Sequence, residues 1–177
     1  MIHHRFISFC ALLISLLLMA CNPTAPQRPS QRRNGSAPQA DSASLALLGL
    51  NERLAATADS QLRILAQALP EEYALYDANT WITILDRGDE NEPIPQPEQE
   101  WTIRMRLYSL DQELLLDTEQ TYTIGKKELP EGIESNIGIL HRGGKARCLV
   151  PWYAAYGVTG TKQVEPYENI IIDIELK

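Results

Sequence analysis

From residue 101 to 108 apolar and polar side chains alternate without a break: Trp101, Ile103, Met105 and Leu107 against Thr102, Arg104, Arg106 and Tyr108. The same period returns at 169–176, where Ile170, Ile172, Ile174 and Leu176 alternate with Ile171, Asp173 and Glu175. A two-residue period belongs to a strand whose two faces meet different surroundings. Between these runs the period changes once. Ile133, Ile137 and Leu140 fall at i, i+4 and i+7, the spacing of a short helix, with Pro130 near its start and Gly143-Gly144 as its expected end. Further strands are predicted at 81–85, before the turn-like DRGDENEPIPQPEQ, and at 114–117 and 120–124, after a turn at LDQE. Another is predicted at 145–150. Many short strands with one helix inserted predict an α+β domain, a twisted antiparallel sheet wrapped on a short α-helix.

A helical segment is expected to precede this domain. Leu47, Leu50, Leu54, Ala58, Leu62, Leu65 and Leu69 recur at steps of three and four, and Pro70 closes the pattern. Asp59-Ser60 offers an N-cap in the middle, so one long helix and two shorter ones fit the pattern equally. Packing of this lead on the domain is the simpler role. Self-association is the other.

The first twenty residues read as a secretory signal. Arg5 and two histidines precede the apolar run 6–18, whose thirteen residues fall short of the roughly 20 that a membrane-spanning helix needs. The run ends at Leu18-Met19-Ala20-Cys21, which resembles the lipobox of bacterial lipoproteins, where the cysteine is acylated and the signal cut before it. Ordinary cleavage near Ala20 with Cys21 incidental is the alternative. Residues 22–42, NPTAPQRPSQRRNGSAPQADS, have no apolar period and read as a disordered tether.

Composition removes several functions. The net charge of −7 becomes −8 without Arg5, and no basic cluster offsets it, which argues against nucleic acid as a partner. Cleavage at Cys21 leaves His141 and Cys148 as the sole histidine and unmodified cysteine. A histidine-based metal site or catalytic triad then has too few members, no metal or other cofactor is expected, and no intrachain disulfide can form. Cys148, in the alternating KARCLV, is expected as a small buried apolar residue. Whatever chemistry the chain performs must need few ionisable groups.

One stretch does not fit a plain surface loop. VPWYAAYGVTG, residues 150–160, is aromatic with glycine breaks. Together with its surroundings, GKKELPEGIESNIGILHRGGKARCLVPWYAAYGVTG followed by VEPYENIIIDIEL, it resembles the C-terminal half of FKBP-type peptidyl-prolyl cis-trans isomerases. The resemblance covers residues 125–176 and continues more weakly back to Trp101. It implies an FKBP-like fold at 79–177, after a helical lead at 43–72. It also implies isomerisation of X–Pro bonds in proline-containing polypeptides through an apolar pocket, with no covalent or metal step.

Carried over by position, Tyr156 would donate a hydrogen bond to the substrate carbonyl and Asp117 would line the pocket edge. Leu116, Leu129, Pro130, Ile133, Val164 and Ile172 would hold the proline ring. The family has aromatic residues where this chain has Leu116, Ile133 and Ile172. Its tyrosine on the first pocket strand falls near Arg106 or Tyr108. Trp152 and Tyr153 receive no role from the resemblance. The lipobox, tether and leading helix further resemble the lipid-anchored FKBP-like proteins of the Bacteroidetes, the gliding-motility-associated type included. That implies an envelope location, with the anchor at Cys21 in the outer membrane and the domain facing the periplasm. An FKBP-like binding or chaperone module in an envelope complex, with catalysis weakened by the aliphatic pocket, is the alternative.

Overall fold

Asp41 opens the first helix by accepting the Ser44 N–H at 2.7 Å, which satisfies one of the free amides of the first turn. Helix α1 runs Ser42–Ala68 without interruption. The structure, a computed structural model, describes residues 41–177. The expected signal segment, the Cys21 site and the tether as far as residue 40 lie outside the described residues. Of the two arrangements the sequence left open, one long helix and two with a break near Thr57 to Ser60, the chain takes the first. The Thr57 hydroxyl donates back to the Arg53 carbonyl at 2.9 Å, a bond that an unbroken helix accommodates, and the Asp59 carboxylate accepts from Tyr153 and does not cap a new helix. Leu69 leaves the helix with extended ψ of 151°, as the residue before a proline must.

Six antiparallel strands follow in the spatial order β1-β2-β5-β6-β3-β4. They are β1 (Ala74–Leu75), β2 (Trp81–Asp86), β3 (Glu100–Tyr108), β4 (Leu114–Thr123), β5 (Lys145–Val150) and β6 (Ile170–Leu176). The two short strands expected at 114–117 and 120–124 are one. β3 pairs with β4 from Glu100↔Thr123 to Tyr108↔Leu114, and this ladder carries the chain through the polar stretch between them. The hairpin reverses where Gln112, at φ 65°, donates to the Ser109 carbonyl.

Helix α2 spans Glu131–Ile137. It stops at Gly138, earlier than the Gly143-Gly144 pair suggests. Leu140 is fully buried beyond its end, and the two glycines instead turn the chain into β5. Gly143 takes φ of 80° there, a region that glycine enters freely.

Alternation gives the sheet two different faces. Ile82, Ile103, Met105, Leu107, Cys148, Ile172 and Ile174 turn inward and pack with Ile133, Ile137 and Leu140 in one continuous core. On the outer face, Leu149 and Ile171 pack with Leu62, Ala66 and Tyr73, while Trp81 and Tyr108 border them. This second core explains why β6 is apolar at Ile171 as well as at Ile170 and Ile172. Away from α1 the outer face carries ion pairs: Arg104 with Asp117, Arg147 and Arg106 with Asp173, and Lys145 and Lys177 with Glu175. Asp41–Lys177 form one compact unit, so α1 belongs with the sheet it covers. Among the described residues no helix is long and apolar enough to cross a membrane.

Candidate functional site

Tyr156 stands on the inward side of the sheet, in the loop between β5 and β6. It is half-buried against the main core, together with Leu116, Tyr122, Ile139 and Ala155. Burial pushes its pKa up, with a smaller contribution from Tyr122. The phenol is therefore neutral over the physiological range and can donate. Among the described residues its hydroxyl has no protein hydrogen-bond partner. A neutral donor at the edge of an apolar cluster, with no partner of its own, is suited to a carbonyl brought by a ligand.

The other expected pocket residues separate into layers. Ile133 and Ile172 are fully buried, Val164 is 2% exposed and Leu129 8%. They pack into the same core that Tyr156 and Leu116 cover, so they form its floor beneath the surface. Pro130 caps the start of α2, its carbonyl accepting the Ile133 and Glu134 amides at 2.9 and 3.0 Å. A proline costs nothing there, because the first amides of a helix have no intrahelical acceptor. At the surface the cluster therefore offers Leu116, Tyr122 and Tyr156, while Pro130 stays half-buried at the start of α2.

Asp117 does not join them. Unbroken pairing from Leu107↔Leu116 through Arg106↔Asp117 puts these neighbours on opposite faces of β4. The Asp117 carboxylate is bound by the Arg104 guanidinium at 3.1 and 3.3 Å on the outer face, and this bond holds its pKa below the usual value. Asp117 and Tyr156 therefore lie on opposite sides of the sheet. Thr118, opposite Met105, is the neighbour that lies on the inner face. Arg106 and Tyr108 also face outward, and buried Met105 and Leu107 occupy the inward positions between them.

Two residues escaped the sequence reading. Tyr122 lies on the inner face opposite Trp101, and the two-residue step from Leu116 through Thr118 and Gln120 would have placed it there. Gly132 packs so tightly that an added Cβ would lie 2.8 Å from the Ala154 carbonyl oxygen. The sequence gives no sign of that contact, which joins α2 to the aromatic loop. Cys148 is fully buried, and burial raises its pKa, which suits packing and not reactivity. His141 uses Nδ1 on the Glu92 carbonyl at 2.6 Å. Among the described residues no group of three His, Cys, Asp or Glu side chains is placed to hold a metal ion.

The aromatic loop itself faces two ways. Tyr156 turns to the inner cluster, whereas Tyr153 turns to Asp59 of α1 and the Trp152 ring packs on Tyr153 and Tyr167. Hollows of about 340 and 370 Å³ lie on either side of Asn79, the first against Asp59 and Trp81, the second against Glu131 and Tyr153.

The family model for the FKBP-type peptidyl-prolyl cis-trans isomerase matches residues 95–177, from the loop before β3 to the last residue. Over that stretch the chain is similar to an FKBP-type isomerase domain. Three solved structures share its fold at low identity. The peptidyl-prolyl cis-trans isomerase of Pseudomonas syringae pv. tomato aligns with a TM-score of 0.59 at 20% identity, over 71% of this chain and 92% of its own. FkpA from Escherichia coli aligns at 0.58 and 15%, over 76% and 63%. The N-terminal domain of FKBP42 from Arabidopsis thaliana aligns at 0.54 and 19%, over 61% and 91%. No curated protein matches the chain in sequence. The activity that defines this family is peptidyl-prolyl cis-trans isomerisation. In this chain the inner face of the sheet and the β5–β6 loop form the partly exposed surface around Tyr156.

Proposed function

We propose that the domain catalyses rotation about X–Pro bonds of exported polypeptides, using Tyr156 as donor over an apolar surface of Leu116 and Tyr122. The observation that carries this reading is the unpartnered Tyr156 hydroxyl above the Ile133–Ile172 core. Rotation about an amide has a barrier of roughly 18–20 kcal/mol because the C–N bond loses its partial double-bond character on twisting. Stabilising the twisted bond needs no bond to the enzyme. An apolar surface that removes water from the amide, with one donor held at the carbonyl oxygen, favours the twisted form over the planar one.

The test is a cis/trans exchange assay on a Leu-Pro peptide with the full chain. Tyr156→Phe should lower kcat/KM about tenfold, the worth of one well-placed hydrogen bond, and leave the melting temperature unchanged. Folded wild-type protein that gives no rate above the uncatalysed one would overturn the catalytic reading. The position of Asp117 on the outer face favours a second reading, a domain that binds proline-containing segments without turning them. Binding of the same peptide with no exchange would be its result.

The anchor belongs to the same proposal. A lipid at Cys21 would hold the domain at the envelope membrane, most simply the outer membrane with the domain in the periplasm. The apolar run 6–18 and the Ala20-Cys21 junction support it. Cys21→Ser should abolish incorporation of labelled palmitate and release the chain from the membrane fraction. Retention of label in that variant would remove Cys21 as the site.

A further inference from the structure

We infer that α1 positions the catalytic loop, and that Tyr153 and Asn169 are the residues through which it does so; the inference rests on the isomerase reading above. Tyr153 lies three residues before Tyr156. Its hydroxyl donates to the Asp59 carboxylate on α1 and accepts from the Asn79 amide at 3.2 Å. Burial first, and then the bond to Asp59, push its pKa up to about 12, so this donor is never lost near neutral pH. Asn169, 7% exposed, joins three elements. Its Oδ1 accepts the Trp152 backbone N–H at 2.9 Å, and its Nδ2 donates to Gln61 of α1 at 3.1 Å. The Trp152 ring meets the edges of Tyr153 and Tyr167, with centroids 5.4 and 4.8 Å away.

These ties reach Tyr156 through the loop backbone. Gly157 N–H donates to the Trp152 carbonyl at 2.8 Å, Tyr167 N–H to Gly157 at 3.1 Å, and Gly160 N–H to the Tyr156 carbonyl at 3.2 Å. On the other side the loop rests against Gly132 of α2 with no spare room. The loop is therefore clamped between two helices, one by contact and one by side-chain hydrogen bonds. A donor must be held within a fraction of an ångström to act on a transition state. The outward-facing half of the aromatic loop supplies that restraint, which is a reason for Trp152 and Tyr153 that the pocket alone does not give. The helix that leads towards the proposed anchor thus also steadies the site.

The experiment uses the full chain with Tyr153→Phe, Asp59→Leu and Asp59→Asn. It reads kcat and KM for a Leu-Pro peptide, together with ring signals of labelled Tyr156 by NMR. Tyr153→Phe and Asp59→Leu should each lower kcat about fivefold with KM within about twofold, the loss of roughly one hydrogen bond acting at a distance. Both should shift the Tyr156 ring signals. Asp59→Asn keeps an acceptor oxygen and should restore kcat. Unchanged kcat and unchanged Tyr156 signals in both disrupted variants would overturn the inference. If the wild type proves inactive, the isomerase reading fails, and the Tyr156 signals alone decide whether α1 holds the loop.

Discussion

Arg147→Met in the full chain is expected to lower the free energy of unfolding by about 3 kcal/mol, the low end of what stranding a buried charge costs. Adding Asp173→Asn should recover more than half of it. Arg147 and Asp173 face each other across β5 and β6, joined by two bonds of 2.6 and 3.0 Å. The Asp173 side chain is 12% exposed and that of Arg147 34%, so the carboxylate depends more on the pair than the guanidinium does. Hydrogen bonds to Asp173 raise the Arg147 pKa despite its partial burial. Arg106 reaches the same carboxylate only at 3.8 Å, from a side chain 47% exposed, and cannot replace both bonds. Methionine keeps the aliphatic stem over the sheet and removes the charge. Urea denaturation with an unchanged slope measures the difference. Equal losses in the single and double variants would mean that packing, and not the stranded carboxylate, sets the cost.

The outer-face ladder also shows where sequence reading reached its limit. Alternation at 101–108 and 169–176 located β3 and β6 and their inward residues, because a half-buried strand writes its burial into every second position. It could not say which register β4 would take against β3. The polar run from Asp117 to Thr121 carries little apolar signal, and one residue of register decides whether Asp117 meets a ligand or Arg104. The resemblance matched Asp117 by position alone and carried no strand register. Helix α1 was legible from its leucines, but its continuity through Thr57 and Asp59 depended on Arg53 and Tyr153. Tyr153 is 94 residues from Asp59, and no local pattern announces such a contact. The close approach of Gly132 to Ala154 is of the same kind. Periodicity reports which side of an element is buried. It does not report what lies there.

The N-terminal half of α1 illustrates the same point. Leu45, Leu47, Leu48 and Leu50 are between 45% and 61% exposed, although their spacing continues that of buried Ala58, Leu62 and Ala66. A helix of 27 residues extends about 40 Å, longer than the sheet it crosses. The apolar stripe is continuous, while the surface that covers it stops part-way.

Ile133→Ala should be the most costly single core change near the site, at about 2–5 kcal/mol, with Ile133→Val at about 0.5–1.5 kcal/mol. The Ile133 side chain is fully buried between α2 and the sheet, among Ile172, Val150 and Ile137, and the close packing there leaves little room to collapse. Its effect on catalysis separates two geometries. In the first, Ile133, with no exposed surface, supports Tyr156 and Leu116 without touching a proline ring. At a temperature where both proteins are folded, Ile133→Val should then leave KM within about twofold. Leu116→Ala should raise it, because Leu116 is partly exposed and loses contact area that a ligand could use. A KM that rises with Ile133→Val while the protein stays folded would place the ring on Ile133 itself. Tyr156 and Leu116 would then have to part to admit it, and the inner face would be a pocket that opens on binding instead of a surface that is already formed.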